Sequence, residues 1–193
     1  MGVNKRIVYL IIFVAAVVLV AELAWAYSAL YKSSASTATS KVATTNQTAQ
    51  ISLVTESTTY KVGDQITVAI KASAPNPTDG VDVIINYDPK LLEVIPAATG
   101  SPIRVSAMYN QYPNNQLDAT KGKITASGIS SETGGMLANG VFGTIVFRVK
   151  ASGTVALNII YSPGATSDSN IIENGTGKDV LAGVENLQLN LTQ

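Results

Sequence analysis

The chain has 193 residues with 13 basic and 13 acidic side chains, and only 13% of it is charged. That balance offers no concentration of Lys and Arg for a phosphate backbone, which argues against nucleic acid as a partner. The sequence holds neither Cys nor His, which excludes disulfides, thiolate metal sites, imidazole bases and Ser-His-Asp or Cys-His catalysis; carboxylate-only enzymes such as glycosidases are the main catalytic class left.

Residues 1–32 place Lys5 and Arg6 before an apolar run from Ile7 to Ala21, and follow Glu22 with a second apolar patch carrying Trp25, Tyr27 and Tyr31. Two readings compete. One is a signal peptide ending at the A-x-A site Ala24-Trp25-Ala26. The other is a retained transmembrane signal anchor, because Ile7 to Tyr31 at about 1.5 Å per residue crosses the roughly 30 Å hydrocarbon core, with the aromatics at the outer interface. Either way Lys5 and Arg6 stay inside, so the remainder is extracytoplasmic: tethered to the cell membrane by a single pass, or secreted if the segment is cleaved. Residues 33–50, SSASTATSKVATTNQTAQ, bury too little apolar surface to offset their ordering entropy and read as a flexible linker. The folded domain is expected over 51–193.

From Ile51 the pattern becomes short segments of period-two alternation. ISLVTES (51–57) comes first, followed by QITVAIKAS, where Ile66, Val68 and Ile70 share a face opposite Thr67 and Lys71. VDVIINYD (81–88) runs into YDPKLLEVI. There Pro89 cannot donate to a ladder and disfavours helical dihedrals at Asp88, so a corner between two strands is expected rather than a helix. KITASGI (123–129) is next. In GVFGTIVFRVK, Val141, Ile145, Phe147 and Val149 are expected inward; in TVALNIIYS, Val155, Leu157, Ile159 and Tyr161; in NLQLNLT, Leu187, Leu189 and Leu191. Turn signals such as Asn174-Gly175 separate these runs, and nothing after residue 50 sustains a helical period. The segment 103–121, IRVSAMYNQYPNNQLDATK, reads as a longer insertion. At least seven strands without helix point to an all-β sandwich or jelly roll.

VGDQITVAIKAS, GVDVIINYDPKLLEVI and NGVFGTIVFRVKASGTVALNI, in this order and spacing, resemble the cohesin domain family over roughly residues 51–192. The resemblance implies a jelly-roll β-sandwich of about nine strands, similar in fold to carbohydrate-binding modules. It also implies a non-catalytic function, the binding of dockerin modules in polysaccharide-degrading or cell-surface assemblies. In type I members of the family one sheet face binds dockerin, and an acidic residue on the strand before the Y-D-P corner hydrogen-bonds to it; counted back from Tyr87, that position is Asp82. Alternation makes Ile84 and Asn86 its outward neighbours, and an apolar centre within a polar rim suits an interface.

Other groups are weighed on their chemistry. Tyr109, Tyr112 and Asn114, with Asn110, Gln111 and Asn115, offer an aromatic-amide platform for direct carbohydrate binding, as an alternative function. Asp168, Asn170 and Glu173, with Asn174 and Asp179, form an oxygen-rich run suited to calcium, although without EF-hand spacing. Glu132 and Asp118 are the best carboxylates for a glycosidase pair, but no spacing brings them together; no cofactor is expected. A third alternative is a structural cell-envelope or filament subunit, which a large apolar patch near a sheet edge would favour.

Overall fold

The computed structural model describes residues 48–193; the signal or anchor segment over 1–32 and all but the end of the linker over 33–50 lie outside the described residues. Thirteen β-segments occur among the described residues. They are β1 (Ala49–Val54), β2 (Thr59–Lys61), β3 (Gln65–Ser73), β4 (Thr78–Asn86), β5 (Leu92–Ile95), β6 (Ile103–Val105), β7 (Gln111–Asp118), β8 (Lys123–Ile129), β9 (Asn139–Val149), β10 (Gly153–Ile159), β11 (Asn170–Glu173), β12 (Leu181–Glu185) and β13 (Leu187–Thr192). One sheet runs β12-β1-β3-β9-β5 with β6 also on β9, and the other runs β2-β13-β10-β4-β8-β7 with β11 also on β4. This is the all-β, two-sheet sandwich that the alternation required, with its first strand starting at Ala49 rather than residue 51.

Interruption accounts for part of the excess of thirteen segments over the nine or so strands expected. β5 and β6 lie end to end along one edge of β9, facing Val149 to Val146 and then Ile145 to Gly143. β10 and β11 likewise share one edge of β4, with the loop 160–169 between them.

The inward residues of the two sheets meet in one core. Ile51, Ile66, Val68 and Ile70 come from the first sheet, and Val81, Val83, Ile85, Leu157 and Leu189 from the second, all of them buried. Burying each such side chain stabilises the fold by about 1.5–3 kcal/mol before entropy is charged against it. One expected face is corrected. Val141 points outward, 39% exposed, while Phe142 is fully buried. The register between β3 and β9 shifts so that Ile70 faces Gly143 but Lys71 faces Val141. Phe142 is the extra residue of a β-bulge, and the bulge inverts the parity of everything before it in β9.

The segment 103–121 is not an insertion; it contributes β6 and β7, an edge strand to each sheet. Asn115 joins the two edges: its Nδ2 donates to the Ile103 carbonyl at 2.8 Å and its Oδ1 accepts from the Ile103 N–H at 3.2 Å. The side-chain amide thus does for β6 what a neighbouring strand's backbone would do.

The corner after β4 forms as expected. Leu91 and Leu92 N–H donate to the Asp88 carbonyl at 3.2 and 3.0 Å, and Lys90 N–H donates to Asp88 Oδ1 at 2.8 Å. Tyr87 is buried with its ring edge-on to Phe147, centroids 5.2 Å apart, and its N–H donates to the Gly122 carbonyl at 2.8 Å. The corner therefore clamps the end of β4 against the start of β8.

Candidate functional site

The outer face of the second sheet is set by the alternation of β4. Val81, Val83 and Ile85 go into the core, so Asp82, Ile84 and Asn86 point away from it, the first two half-buried and the third exposed. Ladder register then fixes their neighbours. Asp82 stands between Asn170 of β11 and Ser127 of β8, with Asn114 of β7 beyond. Ile84 is beside Thr125, followed by Gln116. Asn86 stands between Asn158 and Lys123, with Asp118 beyond. Polar and charged side chains surround one aliphatic residue, Ile84, at the middle of three rows.

The edge of β4 at Ile84 falls in the gap between β10 and β11, and the chain fills the gap locally. Ile160 N–H donates to the Ile84 carbonyl at 2.8 Å, and Ile84 N–H donates to Ser169 Oγ at 2.9 Å. The loop 160–169 thereby stays tied to the sheet beside the face. A pocket of about 220 Å³ opens there, lined by Asp82, Ile84, Asn114, Ser127, Asp168 and Asn170 among others.

Several sequence candidates are redistributed. Tyr109 is 3% exposed; its hydroxyl bonds to Thr78 Oγ1 and its ring lies edge-on to Phe142 at 6.3 Å. Tyr112 donates its hydroxyl to the Ser106 carbonyl at 3.0 Å and also packs edge-on to Phe142, at 5.5 Å. Both rings close one end of the core and present no stacking platform, whereas Asn114 turns outward into the pocket beside Asp82. The inward turn is permitted by Gly128, where a Cβ would stand 2.7 Å from Phe142 and 2.8 Å from Tyr109.

The oxygen-rich run divides as well. Asp168 and Asn170 meet in the pocket, but Glu173 accepts from Asn76 Nδ2 at 2.7 Å and from Thr176 Oγ1 at 2.9 Å. These bonds, the first being the larger influence, hold its carboxyl below its ordinary range. Asp179 accepts from the N–H groups of Ile171 and Leu181, and Asn174 donates to Asp79 at 2.6 Å. Among the described residues no group of three or more Asp or Glu is placed to hold a metal ion. Asp118 faces Lys123 at one end of β8, while Glu132 follows its other end at Ile129. Six residues of strand put them roughly 20 Å apart, beyond the reach of either glycosidase geometry.

Comparison with known proteins agrees with the architecture. No curated protein sequence matches the chain. A type II cohesin domain from the cellulosome of Acetivibrio cellulolyticus is similar at a TM-score of 0.61 and 16% identity, covering 75% of this chain and 96% of that one. A type I cohesin of Pseudobacteroides cellulosolvens matches at 0.54 and 19% identity, over 74% of this chain and 91% of its own. The cohesin of a type I cohesin–dockerin complex from Clostridium thermocellum matches at 0.55 and 15% identity, over 74% and 99%. At these identities the likeness concerns the fold. The family model for the cohesin domain matches residues 49–180, which takes in β1 to β11, and the chain belongs to the cohesin domain family.

Proposed function

We propose that this chain is a non-catalytic cohesin module that binds a dockerin-type protein through the outer face of β10, β11, β4, β8 and β7. The observation that carries the reading is the face itself, three ordered rows of polar and charged side chains around Ile84, with Asp82 in the row at one end. Such a face resembles an interface core, one apolar anchor inside a polar surround that excludes water. Its size fits. The nine residues of β4 span about 30 Å and the four strand positions across the face, one of them shared by β10 and β11, about 20 Å, so the face projects roughly 600 Å², on the scale of the ~800 Å² that each partner contributes to a standard interface. Cohesins of similar fold occur in type I and type II complexes with dockerins in Clostridium thermocellum and Acetivibrio cellulolyticus.

On this reading residues 1–32 anchor the module in the cell membrane and the linker from residue 33 up to the start of β1 at Ala49 holds it off the surface. The basic-then-apolar order of the first segment and the Ser/Thr-rich composition of the second support this arrangement. Tethering would raise the effective concentration of a captured partner at the membrane.

The test is binding of the full chain to the dockerin modules of its own organism, measured by surface plasmon resonance. Ile84→Arg and Asp82→Lys are expected to weaken capture at least thirtyfold, about the 2 kcal/mol of a hot-spot loss. Absence of binding by every dockerin, or binding indifferent to both substitutions, overturns the proposal.

A further inference from the structure

The pocket beside Asp82 contains a chemical imbalance that the sheet face alone does not explain. Asp168 is 6% exposed. Its Oδ2 accepts from the Ser162 N–H at 2.5 Å, which pins it under the loop 160–169. Its Oδ1 has no hydrogen-bond partner among the described residues, and the same holds for the buried Oδ1 atoms of Asn114 and Asn170. All three residues line the one pocket, together with Asp82. No Lys or Arg lines it.

A carboxylate oxygen taken out of water without a donor is costly, and the cost falls only when a donor arrives. An amide can exchange acceptor for donor by turning over, but a carboxylate has nothing except acceptors to offer. Asp168 Oδ1 is therefore free to accept from a donor that enters the pocket, and with Asp82 beside it a cationic donor is favoured over a neutral one.

We propose that this pocket is a socket for a cationic side-chain tip, with a guanidinium the best fit, presented by the protein that docks on the face. The inference rests on the docking face proposed above and assigns one of its contacts. A guanidinium carries five N–H donors in a planar fork and no acceptor, the complement of three unpartnered oxygens and a neighbouring carboxylate. Val83, Ile84 and Ala126 line the same pocket and give an apolar bed for the methylene stem. Size separates this occupant from a bare metal ion. About 220 Å³ corresponds to roughly seven waters at ~30 Å³ each, the room of a side-chain end. With no third carboxylate nearby among the described residues, a lone ion would sit in a cage too wide for its ligands.

The experiment titrates detergent-solubilised, ¹⁵N-labelled full chain with N-acetyl-arginine amide, with its neutral isostere N-acetyl-citrulline amide, and with calcium chloride. Saturable shifts of the amide signals of Ser127, Asp168 and Asn170 are expected with arginine and not with citrulline. Asp168→Asn should weaken arginine binding about tenfold, the loss of one charge-assisted bond. Asn114→Asp adds a carboxylate at the same wall and should strengthen it, which keeps the test decisive if Asp168→Asn fails to fold. Equal shifts with arginine and citrulline, shifts with calcium alone, or no gain in Asn114→Asp each overturn the socket. No dockerin is present in the titration. A silent pocket therefore leaves the docking face standing, and a chain that captures no dockerin can still bind arginine.

Discussion

Replacing Gly122 by alanine is expected to damage the joint on which the candidate face depends. Gly122 has a φ of +62°, a left-handed conformation in which a side chain costs about 1–2 kcal/mol. A Cβ there would stand 2.1 Å from the Tyr87 carbonyl oxygen and 2.7 Å from Pro89 Cδ. Ordinary contact requires more than 3 Å, so the Asp-Pro corner must retreat by roughly 1 Å, and the neighbour that must yield is backbone. That retreat strains the bond from Tyr87 N–H to the Gly122 carbonyl, now 2.8 Å, worth about 0.5–1.5 kcal/mol. Tyr87 is also loosened from Phe147. Together these come to about 3–5 kcal/mol, a large part of a typical domain's stability, and a fall in Tm of about 8–15 °C for a domain of this size. The one Trp of the chain precedes the sandwich, so unfolding is better followed by near-ultraviolet circular dichroism of the buried tyrosines. Gly63→Ala is the control: its φ of +93° carries the backbone cost, but nothing lies within 4 Å of the added carbon. Equal losses in the two variants would refute the steric argument and leave only the dihedral one.

Two further substitutions test the edges of the sheets. Asn115→Ala removes both bonds to the buried Ile103 backbone and should cost about 2–3 kcal/mol by urea denaturation; a loss under about 0.5 kcal/mol would mean that water satisfies the β6 edge. Asp118 sits on the solvent side of β7, where the Thr120 hydroxyl, followed by the Lys121 N–H and ammonium, lowers its carboxyl to about 2. A depressed carboxyl stabilises the fold above its unfolded value near 3.8, and that contribution disappears as pH falls toward about 2. Carboxyl ¹³C titration should find this low midpoint and find it raised in Thr120→Ala; an unmoved midpoint would dismiss the hydroxyl as the cause.

The parts of this molecule legible in its sequence are those fixed by local rules. β4 reads correctly because Val81, Val83 and Ile85 alternate with polar neighbours, apart from Ile84. The corner reads correctly because Pro89 forbids the two alternatives, ladder and helix. β9 misleads at its start because VFGTIVF offers apolar residues on both parities, and only the bulge against β3 decides that Phe142 goes inward. Tyr109 misleads for a different reason. In a run of amides a tyrosine resembles a surface residue, but its hydroxyl finds Thr78 and its ring finds Phe142, both distant in sequence. The pocket was beyond local reading altogether, since Asn114 and Asp168 become neighbours only through the register of β7, β8, β4 and β11.

The break between β10 and β11 connects the fold's main irregularity to its candidate chemistry. An unbroken strand would pair Ile84 through its backbone and leave the outer face a plain sheet. Here the pairing is restored piecemeal, by the Ile160 N–H on one side and the Ser169 hydroxyl on the other. The residues released from the ladder stand beside the face and carry Asp168 with them. A flat sheet surface can recognise a partner only by shape and distributed polarity, whereas a recess holding a half-satisfied carboxylate penalises any partner that fails to supply a donor. On the docking reading proposed above, the interruption exchanges a few ladder hydrogen bonds for selectivity, concentrated beside Asp82 where β4 meets β11 and β8.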